Sequence, residues 1–151
     1  MSPYKNLLDD TLGAITSFGS PVFYILIILV LLKFNVSLAM PLLGALIFVE
    51  LFCVIIKIIY RKERPVEQAR DNIYNKIDAN SFPSIHSARI SLIAVMFSLF
   101  YKDAPTIIAC VLVVLCVGYS RIYLKRHHPI DVLAGFLISA ATALIVFYII
   151  K

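Results

Sequence analysis

The chain has 151 residues, 61% of them hydrophobic and only 15% charged, with a mean hydropathy of +0.92. A soluble domain of this size carries an apolar share nearer half, so composition excludes one and points to a single-domain membrane protein over residues 1–151, with room for about five spans of roughly 20 residues. The net charge of +5 is unevenly placed; its cations are expected to meet lipid and substrate, and no nucleic acid. Cys53, Cys110 and Cys116 lie inside apolar runs without CxxC spacing, which suggests neither a disulfide framework nor a zinc site. They are read as buried, reduced packing residues.

Residues 1–20 combine Leu7, Leu8, Leu12, Ile15 and Phe18 with Lys5, Asp9 and Asp10, spacings close to one face of a helix. An amphipathic helix lying in the membrane interface is expected. The acidic pair breaks the cationic-then-apolar order of a cleavable signal peptide. Pro21 to Phe34 is a short first span, able to cross by starting a turn earlier or in a locally thinned bilayer. Asn35 to Ser37 makes a turn. Leu38 to Tyr60 is the second span, interrupted by Glu50 and carrying Lys57 near its end. Arg61 to Phe82 is one long polar segment with charges of both signs and no glycine, read as a surface loop with one short helix. Ser84 to Tyr101, Ala104 to Leu124 and Ile130 to Ile150 are the remaining spans, the first two joined by a tight turn at Lys102 and Asp103.

Antiparallel neighbours put the end of the second span, the start of the third, the end of the fourth and the start of the fifth on one membrane face. The polar motifs fall at those ends. Lys57 and Arg64-Pro65 close the second span, Pro83-Ser84-Ile85-His86 opens the third, Ser120-Arg121 closes the fourth, and His127 and Asp131 open the fifth. Each has a plainer reading alone: Lys57 snorkels, His86 caps a helix, Arg121 anchors at headgroups, and the His127-His128 pair is interfacial with a capping Asp131. Scattered interfacial charges would not be expected to converge in this way.

Two imidazoles, a carboxylate and three cations on one face suit phosphoryl transfer, in which the protein mainly positions and neutralises charge on three equatorial oxygens. Lys57, Arg64 and Arg121 would form the clamp, and Ser84 with the free amides of the third span would add donors. One imidazole would attack phosphorus while the other protonates the departing oxygen. Asp131, four residues after His127 and in the first turn of its helix, would reach back to fix that ring's tautomer.

The three blocks, Lys57 with Arg64-Pro65, Pro83-Ser84-Ile85-His86, and Ser120-Arg121 with His127 and Asp131, resemble in order and spacing those of the type 2 phosphatidic acid phosphatase (PAP2) superfamily of membrane lipid phosphate phosphatases. The resemblance implies His127 as the nucleophile forming a phosphohistidine and Asp131 as its orienting partner. It implies His86 as general acid and then base, Lys57, Arg64, Ser84 and Arg121 as phosphate ligands, and no metal or other cofactor. Ile85 stands where many members have a small residue, and many members have six spans. Ser120 and His128 are read as neighbours of the site.

Glu50 lies seven residues before Lys57, on the same helical face and about 10 Å deeper, either lining the cavity below the clamp or serving as a hydrogen-bonded structural residue. Arg89 shares the face of His86 and would be a phosphate ligand or a partner for Asp131 or Glu50. Arg61-Lys62 and Lys125-Arg126 are expected to meet headgroups or substrate. The reading is an all-α, polytopic lipid phosphatase of a prokaryotic cell membrane, acting on phosphatidic acid, phosphatidylglycerophosphate, a polyprenyl (di)phosphate or a phosphorylated lipid A. A vanadate haloperoxidase and a non-catalytic or anion-transporting bundle are its alternatives. The motif face also carries Lys5, Arg61, Lys62, Arg70, Lys76, Lys125 and Arg126, against Lys33, Lys102 and Lys151 opposite. The positive-inside tendency would turn it to the cytoplasm, while many relatives act on the outer side.

Overall fold

The structure, a computed structural model, describes residues 3–68 and 71–151; of the side chains within them, those of Pro3, Lys5, Ile73 and Tyr74 are not described. The places expected for Arg70 and for the Lys5 side chain lie outside this set. Seven α-helices make up the described residues, with no strand among them: α1 (Pro3–Thr16), α2 (Pro21–Phe34), α3 (Val36–Ile59), α4 (Ile73–Asp78), α5 (Ile85–Tyr101), α6 (Ala104–Tyr123) and α7 (Pro129–Ile150), with a 3-10 turn at Ser17–Gly19.

The helices begin where short polar side chains can cover the unpaired amides of a first turn. Ser20 accepts from Phe23 N–H, Asn35 from Leu38 N–H, Asn72 from Asn75 N–H, Ser84 from Ser87 N–H and Asp103 from Thr106 N–H. Pro21 and Pro129 occupy first helical positions, where a missing N–H costs nothing. These signals bring the observed starts within two residues of the expected ones. The predicted short helix in the polar segment is α4.

Three helices, α3, α6 and α7, are long and apolar enough to cross a membrane. Together α1 and α2 meet the same test, bent by 49° at the intervening break, and would make a fourth span; α5 is apolar but has 17 residues. It is the central helix, packed against α3, α6 and α7. The core joins Leu38, Leu42, Leu46, Val49 and Cys53 of α3 to Ala88, Leu92 and Met96 of α5 and Ala143 of α7. The outer faces expose Phe48 and Leu51 of α3, Val111 and Leu115 of α6, and Leu137 and Ile145 of α7, a surface suited to lipid. Contrary to expectation, not all three cysteines are buried. Cys53 is buried, but Cys110 is half-buried and Cys116 exposed, because an apolar run on an outer helix packs on lipid as readily as on protein.

Helices α5 and α7 approach closely because small residues line their contact. A Cβ on Gly135 would fall 2.6 Å from the Ser84 carbonyl oxygen and 3.1 Å from Ala88 N. Ser139 Oγ donates to the Ala88 carbonyl at 2.7 Å, and Ser84 N–H donates to the Asp131 carbonyl at 2.9 Å. The start of α7 is thereby fastened to the start of α5.

Candidate active site

Asn80 to Ser84, the strand of chain leading into α5, stitches the motif blocks together. Lys57 Nζ, at the end of α3, donates to the Asn80 carbonyl, and Asn80 Nδ2 returns a bond to the Lys57 carbonyl at 2.8 Å. Ser81 N–H donates to the Lys62 carbonyl at 2.7 Å, its hydroxyl donates to Asp131 Oδ2, and its carbonyl lies 2.8 Å from His127 Nδ1. The Phe82–Pro83 peptide is cis. Beyond α6 the chain turns back at Lys125, whose φ of 52° is left-handed. Arg126 and His127 N–H then both donate to the Arg121 carbonyl, at 3.0 and 3.1 Å. First and third blocks are therefore bonded through the segment that leads into the second.

His127 is 2% exposed. A backbone carbonyl can only accept, so the contact with Ser81 requires the hydrogen on Nδ1 and leaves the Nε2 lone pair free. Asp131 does not do this directly: its Oδ2 is 3.9 Å from Nδ1, too long for a hydrogen bond. Oδ2 is taken by the Ser81 hydroxyl and by His128 N–H at 2.8 Å, and Oδ1 by Lys62 Nζ at 2.6 Å. The expected carboxylate–imidazole contact is thus replaced by a relay through Ser81, and Lys62 is bound to Asp131 rather than turned to headgroups. Burial pushes the His127 imidazole well below the usual histidine range, and the charges of Arg121, Arg64 and Lys57 push it further.

The cations are buried with their carbon stems. Lys57 is 1% and Arg121 6% exposed, and the Arg64 side chain 4%. Arg64 Nη2 donates to the carbonyl and, at 3.3 Å, the carboxylate of Asp78. Burial pulls the Arg64 pKa down, against the pull of Asp78. Arg121 Nη1 donates to Thr16 Oγ1 at 3.0 Å. Nε of Arg64 and Nε of Arg121 are the buried side-chain polar atoms without a partner among the described residues. Buried polar groups are nearly always paired, so two orphaned guanidinium donors in one cluster mark a place built for an acceptor.

His86 is half-buried in the first turn of α5 and lines a cavity of about 170 Å³ with Lys57, Asp78, Glu50 and Arg89. Arg89 grips Glu50 with two bonds, Nε to Oε2 at 2.8 Å and Nη2 to Oε1, while Nη1 donates to the Gly19 carbonyl at 3.2 Å. Its partner is Glu50, not Asp131, and its fork is already occupied. The hydroxyl of Ser84 is buried and shares a hydrogen with Ser87 Oγ at 2.9 Å. Ser120 Oγ donates to the Val117 carbonyl at 2.7 Å, within its own helix. His128 is half-buried and joins the cluster through its backbone. Thr16, Asp78, Asn80 and Ser81 carry no motif in the sequence. Only the polar pair Asn80-Ser81 directly before Phe82-Pro83 hinted at them.

A sequence profile described as the PAP2 superfamily matches residues 38–151; the chain belongs to that superfamily and is a multi-pass membrane protein. It is 38% identical over 76 residues to the bacitracin transport permease protein BcrC of Bacillus licheniformis, an alignment covering 50% of this chain and 36% of that protein. The chain thus matches about a third of the length of this curated relative. Among solved structures it resembles LpxE of Aquifex aeolicus, with a TM-score of 0.82 and 25% identity over 98% of this chain and 88% of that one. It also shares its fold with the PAP2-type phosphatidylglycerolphosphate phosphatase of Bacillus subtilis, with a TM-score of 0.78 and 21% identity over 99% and 78% of the two chains.

Proposed function

We propose that this protein is a membrane lipid phosphate phosphatase that works through a phosphohistidine on His127. The observation that carries the reading is the pair of orphaned guanidinium donors on Arg64 and Arg121, beside a buried imidazole whose Nε2 is left free. A phosphate bound there would receive Arg64, Arg121 and Lys57 and the Ser84 hydroxyl. His127 Nε2 attacks phosphorus, the bond from phosphorus to the lipid oxygen breaks, and His86 gives its proton to that oxygen. The charge gained by the ring is met by the Ser81 carbonyl, held in turn by Asp131. His86, now neutral, takes a proton from water; the resulting hydroxide attacks phosphorus, the P–N bond breaks, and phosphate leaves. The lipid tail remains in the bilayer throughout, with α1 lying in the interface and α2, α3, α5, α6 and α7 crossing. In this reading Lys and Arg meet the phosphate charge, so no divalent ion is required.

Purified protein in detergent with EDTA is expected to release inorganic phosphate from at least one of phosphatidic acid, phosphatidylglycerophosphate and a polyprenyl diphosphate. Rapid quenching with 32P-labelled substrate should trap an acid-labile phosphoenzyme. His127→Ala should lower turnover by at least about a thousandfold, the scale on which loss of an essential member of a catalytic unit is felt, without loss of folded protein. His127→Ala with wild-type turnover would overturn the mechanism. The bacitracin permease name of one relative supports a second reading, anion or lipid transport. That activity would not need a nucleophile and would survive the same substitution.

A further inference from the structure

The short elbow between α1 and α2 touches three charged or titratable residues of the site. Thr16 Oγ1 accepts from Arg121 Nη1 at 3.0 Å. The Gly19 carbonyl accepts from Arg89 Nη1 at 3.2 Å, the guanidinium that also grips Glu50. Gly19 is buried against His86 so closely that a Cβ there would lie 2.8 Å from both His86 Cβ and the His86 carbonyl oxygen. Gly19 has an ordinary negative φ, so its glycine is required by space and not by backbone freedom. The elbow lies outside residues 38–151, the part that matches the PAP2 profile.

These contacts differ in kind but share a consequence. Arg121 Nε is a buried donor without a partner among the described residues. A planar guanidinium can aim that donor only if its other end is held, and Thr16 holds it. His86 stands in the first turn of α5, where a small outward push on Cβ swings the ring. Gly19 is the surface against which that Cβ rests.

We infer that Thr16 and Gly19 are positioning residues of the active site, Thr16 aiming Arg121 at the bound phosphate and Gly19 setting the place of the His86 ring. The inference rests on the phosphatase reading; the role of Thr16 is also tested by phosphate affinity, which does not depend on turnover, and the role of Gly19 is tested by turnover. Affinity for inorganic phosphate is measured in detergent by calorimetry and by its upward shift of the thermal midpoint. Thr16→Val keeps shape and removes the acceptor. It is expected to weaken phosphate binding about tenfold, the scale of one hydrogen bond to a charged group, and to raise KM more than it lowers kcat. Thr16→Ser should restore both. Gly19→Ala is expected to lower kcat at least tenfold with a smaller change in KM, and to move the pH limb set by the general acid.

Wild-type phosphate affinity in Thr16→Val, or failure of Thr16→Ser to rescue it, overturns the role of Thr16. Wild-type kcat and pH profile in Gly19→Ala overturn that of Gly19. If wild-type protein binds phosphate but releases none from any lipid, the phosphatase reading falls and the role of Gly19 falls with it, while the effect of Thr16→Val still decides its own role. A wild-type protein that neither binds nor releases phosphate sinks both.

Discussion

The 2.8 Å contact between His127 Nδ1 and the Ser81 carbonyl dictates a tautomer that can be measured. The chain holds three histidines, so 15N-histidine NMR in detergent micelles, assigned with His86→Gln and His128→Gln, isolates the His127 ring. It is expected to be neutral and protonated on Nδ1 at pH 5.5. The sign follows from burial and three cations, which lower the folded pKa from its ordinary value of 6.5. Below about 6.5 the unfolded chain therefore takes up a proton that the folded chain does not. Stability is lost as pH falls from there, and this group contributes no pH dependence above it. A ring that titrates at 6.5 or higher, or that carries its hydrogen on Nε2, would remove the nucleophile from the proposed mechanism. At this scale the sequence made His127 and Asp131 visible, since a histidine and an aspartate four apart around a helix start suggest direct contact. The Ser81 relay was not visible. It depends on a loop residue 46 positions away, and loop hydrogen bonds obey no periodicity.

Helix ends were legible almost to the residue because each cap is a local rule: a short polar side chain followed by apolar periodicity. Helix contacts were less so. Gly135 reads in sequence like any small residue in a span, yet its missing Cβ is what lets α7 rest on the first turn of α5. Gly135→Ala puts a methyl 2.6 Å from a backbone oxygen, which cannot swing away. Overpacking of this kind costs about 1–3 kcal/mol, and here the displacement passes straight to Ser84. Gly118→Ala instead meets the ring tip of Phe136 at 2.8 Å and Val132 Cγ1 at 3.1 Å, side-chain atoms and not backbone. Gly44→Ala, with nothing within 4 Å, should gain helix propensity of up to about 1 kcal/mol. The expected order of thermal midpoints in detergent is Gly44→Ala, then Gly118→Ala, then Gly135→Ala lowest. A Gly135→Ala protein as stable as wild type would mean that α5 and α7 do not pack in this register.

Across the whole molecule, hydrogen bonds hold the end of α3, the start of α5, the end of α6 and the start of α7 together. Lys57 is tied to Asn80, Ser84 to Asp131, and Arg121 to His127. At the other end, Lys102 closes α5 with a left-handed φ of 58°, and its ammonium sits 5.8 Å from the ring centroid of Phe147, near the end of α7. Seventeen residues of α5, about 25 Å at 1.5 Å per residue, separate the two ends. Because α5 is jacketed by α3, α6 and α7, its short length need not match the lipid thickness by itself. Single cysteines at Lys76 and at Lys102, both exposed, are therefore expected to react with an impermeant maleimide from opposite sides of the membrane. The experiment requires a background in which Cys53, Cys110 and Cys116 are replaced. Same-side labelling would mean that α5 does not cross the membrane. Opposite-side labelling carries a further consequence, because Lys76 belongs to α4, beside the Lys57–Asn80 bonds. Under the proposed function, the side from which Lys76→Cys reacts is the side on which the lipid phosphate would present its headgroup.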